Sequence, residues 1–153
     1  IILMIFYWYY NNLILNKICN SKIQNKFFIF GILSSIFLLF HVFFLGWNFE
    51  SELLTKMRRS FIIFFILFEI LAQAYLIKEI FKKKTLIIEY LNNLIVYCKL
   101  IFVFFICIST LAILIILSIF NLEDKVDYIL EWNYFLILLV FYLLSSVMWA
   151  SKS

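Results

Sequence analysis

The stretch SFIIFFILFEILAQAYLIKEIF, residues 60–81, decides how the rest of the chain is read. Apart from Glu69 and Gln73, no strongly polar side chain interrupts it before Lys78. As a helix rising ~1.5 Å per residue, it is long enough to cross a hydrocarbon core of ~30 Å. Three comparable runs, at about 27–47, 100–120 and 132–150, and a shorter one at about 1–15, stand apart from it across brief charged segments. The expected fold is all-α: a polytopic transmembrane helix bundle of about five spans forming one integral membrane domain over residues 1–153.

Composition agrees. The chain is 67% hydrophobic and 14% charged, against about 45–50% and 25% in soluble domains. So much apolar surface calls for lipid as its solvent. Proline is absent, which removes the commonest cause of a sharp helix kink. The short first run carries Tyr7, Trp8, Tyr9 and Tyr10, a cluster suited to the membrane interface. It opens on Ile1 with no basic lead segment, which argues against reading it as a signal peptide. If a further span precedes it, the intact bundle has six helices and both ends on one side.

Residues 86–99 differ from the spans. Ile87, Ile88, Leu91, Leu94, Ile95 and Cys98 make one helical face, with Glu89, Asn92 and Asn93 on another. Two arrangements follow: an amphipathic helix at the headgroups, or the front end of one continuous helix from Leu86 to Phe120.

Basic residues set the orientation. With five crossings, Lys17, Lys22, Lys26, Lys78, Lys82, Lys83, Lys84, Lys99 and Lys152 fall on one side, and Lys56, Arg58, Arg59 and Lys125 on the other. The richer side is expected to be cytoplasmic and to include the C-terminus. The opposite loop, residues 121–131, is acidic through Glu123, Asp124, Asp127 and Glu131.

The exceptions to apolarity are where chemistry is sought. Glu69 lies half-way along its span, where ionisable groups cost ~2.5–3.5 kcal/mol and face a bundle interior or a watery cavity. Gln73, four residues on, shares its face. The pair suggests either a proton-binding or ligand-orienting carboxyl, or polar glue between helices. His41, the only histidine, is a candidate partner for Glu69 or for a headgroup phosphate, or an ordinary interior hydrogen-bonded side chain. Gly31 and Ser35 form a small-xxx-small pair that permits close helix approach. Arg58 and Arg59 suit a lipid headgroup or simple interfacial anchoring. Three cysteines without C-x-x-C spacing indicate neither disulfide framework nor metal site. No nucleophile–base set, phosphate loop or dense basic footprint for nucleic acid is present, and no cofactor is expected.

One resemblance bears on function. The segment Val126-Asp127-Tyr128-Ile129-Leu130-Glu131-Trp132 leads straight into the last apolar run. It resembles the last-helix signature of the DRAM/Sfk family, which includes GPI-anchor lipid-remodelling proteins. The resemblance implies a multispan protein of lipid handling or membrane trafficking, with Glu131 and Trp132 as the matching residues. The expected partners are membrane lipids, with other membrane protein subunits as a further class. Two other functions stay open: a structural or assembly subunit of a larger membrane complex, and a small proton- or ion-coupled transporter using Glu69.

Overall fold

A computed structural model of the chain describes residues 1–19, 26–45, 52–87, 90–119 and 124–149. Within them there is helix and no strand. The helices are α1 (Ile2–Cys19), α2 (Lys26–Leu45), α3 (Glu52–Lys82), α4 (Lys84–Ile87), α5 (Asn93–Ile119) and α6 (Asp124–Met148). Three helical stretches, Lys26–Phe44, Lys56–Lys82 and Asn93–Thr110, are long and apolar enough to cross a membrane. A fourth apolar stretch, Trp132–Met148, is shorter. Two compact units are formed, Ile1–Leu86 and Ile87–Ser153.

In the first unit, α2 and α3 lie antiparallel. Phe30, Phe37 and Phe44 on α2 repeat at steps of seven, as do Phe61, Phe68 and Tyr75 on α3. Their rings meet in order: Phe30 with Tyr75 at 5.4 Å, Phe37 with Phe68 at 5.3 Å and Phe44 with Phe61 at 5.3 Å. A seven-residue step keeps one seam facing its partner along both helices. Each ring pair adds ~0.5–1.5 kcal/mol beyond the area it covers. Helix α1 also packs on α2. The Trp8 indole packs flat against Gly31, where any Cβ would overlap the ring, and also meets Phe27 at 6.3 Å.

Helix α3 has 31 residues and begins two turns ahead of the expected Ser60. Nothing in the sequence between Glu52 and Ser60 breaks a helix, and Lys82 in the last turn has the sign that suits the helix dipole. At ~1.5 Å per residue it is about 46 Å long, more than a hydrocarbon core needs.

In the second unit, α5 and α6 run antiparallel. The Asn92 backbone N–H donates to the Met148 carbonyl at 3.1 Å, and its own carbonyl accepts from Val96 N–H at 3.1 Å. Asn92 is thus the N-cap of α5, a position asparagine favours. Of residues 86–99, Leu86 and Ile87 therefore belong to α4, Tyr90–Asn92 lie outside α-helix, and α5 starts at Asn93. Among the residues read above, Lys22, Ile88, Glu89, Phe120, Glu123 and Lys152 lie outside the described residues. So do the side chains of residues 124–131, which include Glu131 and most of the segment that carries the family resemblance.

Candidate functional site: a buried polar cluster on Glu69

Glu69 sits on the face of α3 turned into the first unit and is 1% exposed. Its Oε2 lies 2.7 Å from the Ser34 hydroxyl of α2, and its Oε1 accepts from Gln73 Nε2 at 2.9 Å. Gln73 Oε1 in turn accepts from the Tyr7 hydroxyl of α1 at 3.3 Å. Beneath Tyr7, the buried Asn11 amide donates to the Tyr7 carbonyl at 2.8 Å. One polar chain therefore links three helices.

The small residues of α2 make the approach possible. Ser34 and Ser35 are buried and both reach back to the Gly31 carbonyl, at 2.8 and 2.9 Å. Such back-bonding places the hydroxyls close to the helix axis, so α3 can bring Glu69 within reach of Ser34. On the same turn, Gly31 admits Trp8, which carries Tyr7 into register with Gln73. The Trp8 indole N–H makes no hydrogen bond among the described residues. Shape fit to Gly31 fixes that ring, not its polar atom.

Ser34 gives the cluster a definite chemical capacity. Its single hydroxyl proton faces two acceptors, Glu69 Oε2 and the Gly31 carbonyl. Donating to a carboxylate, it leaves Gly31 to Ser35. Donating to Gly31, it becomes the acceptor for a protonated Glu69. A carboxyl proton can thus be gained or lost with one hydroxyl rotation, and every polar partner stays engaged in both arrangements.

The other expected residues are spread more widely. His41 is buried, and its Nδ1 lies 3.2 Å from the Arg58 carbonyl. A carbonyl only accepts, so Nδ1 carries the proton in this bond. His41 is two helical turns beyond Ser34 on α2, about 10 Å along the axis, and it joins α2 to the start of α3 instead of joining Glu69. Arg58 is half-buried and Arg59 exposed at that same end. Trp132 is 71% exposed on α6. Among the described residues, no group of His, Cys, Asp and Glu could hold a metal ion.

One buried ionisable residue was not singled out by the sequence. Lys99, grouped above with the interfacial lysines, is 0% exposed on α5. Its ammonium donates to the buried Ser145 hydroxyl of α6 and lies 4.2 Å from the centre of the Phe141 ring. The Ser145 hydroxyl in turn donates to the Phe141 carbonyl at 3.0 Å. The last turn of α6 is the negative end of that helix dipole, a favourable place for a cation. The usable signal was the spacing of Phe141 and Ser145, which puts a ring and a hydroxyl on one face of α6.

Comparison with models of protein families, with curated proteins and with solved structures finds no match.

Proposed function

We propose that this chain is a multi-pass integral membrane protein of about five spans that works in lipid handling or membrane trafficking without catalysing a reaction. The observation that carries the membrane reading is the division of its helix faces. Ser34, Glu69, Gln73 and Lys99 are turned inward onto polar partners, while Ile29, Ile36, Leu39, Phe43, Ile63, Phe64 and Leu67 face outward. Lipid-facing helices need that division, because acyl chains cannot satisfy a polar group. The Glu131–Trp132 pair, by its resemblance to the DRAM/Sfk signature, supplies the lipid-handling part of the proposal. The excess of basic residues at Lys17, Lys26, Lys78 and Lys82–Lys84 supports a cytoplasmic side for that end of the first unit, and the same sequence rule favours a cytoplasmic C-terminus.

Alkaline carbonate washing of membranes from expressing cells tests membrane integration: the chain stays in the pellet, and release into the wash would refute it. For the lipid role, the purified chain is expected to transfer or retain phospholipid in a vesicle exchange assay, and rates equal to protein-free vesicles would refute that part.

A second reading, a subunit of a larger membrane complex, is favoured by α5. Its exposed Leu94, Tyr97, Ile101, Phe104 and Ile108 follow alternating steps of three and four, the period of a helix-to-helix seam. Native mass spectrometry separates the two: stable co-purifying chains would favour the complex.

A further inference from the structure

The basic end of the first unit contains a more specific arrangement than a diffuse positive charge. Two ammonium groups lie over the ring of Tyr75 on α3, Lys26 at 5.9 Å from its centre and Lys78 at 5.8 Å. Lys26 is the first residue of α2, and Lys78 lies one turn beyond Tyr75 on α3. Both lysines are exposed, and neither has a carboxylate partner among the described residues. The nearby acid, Glu79, is drawn to Lys83 at 3.8 Å. The segment 20–25 that leads into Lys26 contains no acidic residue. The Tyr75 hydroxyl makes no hydrogen bond among the described residues, so it remains a donor.

Height along the helix says what such a group meets. Lys78 is nine residues from Glu69, about 13 Å along the axis. Arg58 is eleven residues away on the opposite side, about 16 Å. With Glu69 near mid-plane, both fall close to the edges of a ~30 Å hydrocarbon core. Tyr75 then sits at the depth where aromatic side chains meet headgroups, with the exposed, apolar Ile29 on the adjoining turn of α2. Two like charges held near one ring repel each other, and an anion placed between them relieves the repulsion. The first N–H groups of α2, which have no partner within the helix, point towards the same level.

We infer that Lys26, Tyr75 and Lys78 form a binding site for the phosphate of an anionic phospholipid headgroup, its acyl chains running down past Ile29. The phosphate accepts from both ammonium groups and from the Tyr75 hydroxyl. This inference rests on the membrane reading proposed above. It extends that reading to a named ligand class at a site separate from Glu69.

The test uses the full chain purified in neutral detergent, with bound lipid read by native mass spectrometry. Dioleoylphosphatidylglycerol is expected to bind in preference to dioleoylphosphatidylcholine. The Lys26→Gln/Lys78→Gln double variant should lose roughly fivefold in that preference for each lysine removed. A Lys17→Gln/Lys82→Gln variant, with the same change in charge at the same end, should lose less than twofold. Equal losses in the two double variants would overturn the site in favour of a diffuse field. Tyr75→Phe should weaken binding less than the lysine pair does, and a variant that binds as the wild type would remove the hydroxyl from the site. Glycerol 1-phosphate added alone should not displace the lipid; full displacement would assign the site to a soluble phosphate ligand instead. Helix content by circular dichroism should be unchanged in every variant, and the conclusion is drawn from those that keep it. Failure of the membrane reading would show separately, as release of the chain by alkaline washing, whereas failure of this site leaves the chain in the membrane with no lipid preference.

Discussion

Glu69 in the first unit and Lys99 in the second are both buried ionisable side chains on apolar helices, and the protein accommodates them in different ways. Glu69 is met by a hydroxyl from α2 and by the amide of Gln73, itself tied to Tyr7 on α1. Lys99 reaches across to α6, to the hydroxyl of Ser145 and the face of Phe141. The carboxyl joins three helices through hydrogen bonds with defined donors and acceptors. The ammonium joins two, partly through a ring quadrupole, which tolerates more variation in position. The difference implies that the Glu69 cluster depends on specific atoms and the Lys99 contact depends more on filled volume.

Glu69→Ala offers the largest break in that contrast. It removes the acceptor of Gln73 and the partner of Ser34 and leaves a cavity in a three-helix interior. Interhelical hydrogen bonds in membranes average ~0.6 kcal/mol with a ceiling of ~1.7, and a void adds ~24 cal/mol per Å³. Together these predict a loss of about 3 kcal/mol, read from the SDS mole fraction that unfolds the purified protein in mixed micelles. A loss below about 1 kcal/mol would mean that the cluster is not a brace.

In the second unit, Ser145→Ala takes one acceptor from a buried ammonium and should cost about 1–2 kcal/mol by the same measurement. Lys99→Met keeps the length and volume of the stem while removing the charge. Replacing a buried charge with a well-packed apolar side chain is often close to neutral. Combined with Ser145→Ala, it should therefore restore most of the loss. A double variant worse than Ser145→Ala alone would show that the charge itself holds α5 to α6.

What was legible in the sequence follows from the same contrast. Runs of apolar residues identified α2, α3 and the start of α5, because span length is a property of a single segment. Glu69 and Gln73 were legible as one face, since residues four apart on a helix must share it. Their partners on other helices were not, because Ser34 and Tyr7 are common, individually weak signals until packing selects them. His41 pairs with the α3 backbone at Arg58, and a backbone acceptor leaves no trace in side-chain spacing. Lys99 was read as interfacial because lysines near helix ends usually extend to water. Only the Asn92 cap, which starts α5 at Asn93, puts Lys99 six residues inside a helix. The seven-residue steps of Phe30, Phe37 and Phe44 and of Phe61, Phe68 and Tyr75 were present in the sequence, and they mark the α2–α3 seam more clearly than overall apolarity does.

Glu69→Gln tests the atom-by-atom side of the comparison with a small change. The new amide can donate to Ser34 while Ser34 donates to Gly31, and its oxygen still accepts from Gln73. The contacts with Ser34 and Gln73 both survive, so stability should shift by less than about 1 kcal/mol. The same variant removes the only carboxyl in the described cluster. If Glu69 carries a transported proton, pH-driven flux in proteoliposomes should vanish while the unfolding midpoint stays near that of the wild type. Unchanged flux would exclude an obligatory proton role.

Tyr7→Phe is the finest probe, since it deletes one hydroxyl at the edge of the cluster and nothing else. Its bond to Gln73 is the longest of those described in the cluster, at 3.3 Å. The ring remains in edge contact with Trp8, at 4.8 Å between centres, so the packing of α1 on Gly31 is preserved. The expected loss is about 0.5 kcal/mol, close to the average for such bonds in membranes. In the Glu69→Ala background Gln73 has lost the acceptor for its amide and no longer holds Oε1 towards Tyr7. Tyr7→Phe should then cost almost nothing further. Additive losses would mean that Tyr7 anchors α1 independently of Glu69, and that the polar chain is two separate contacts instead of one network.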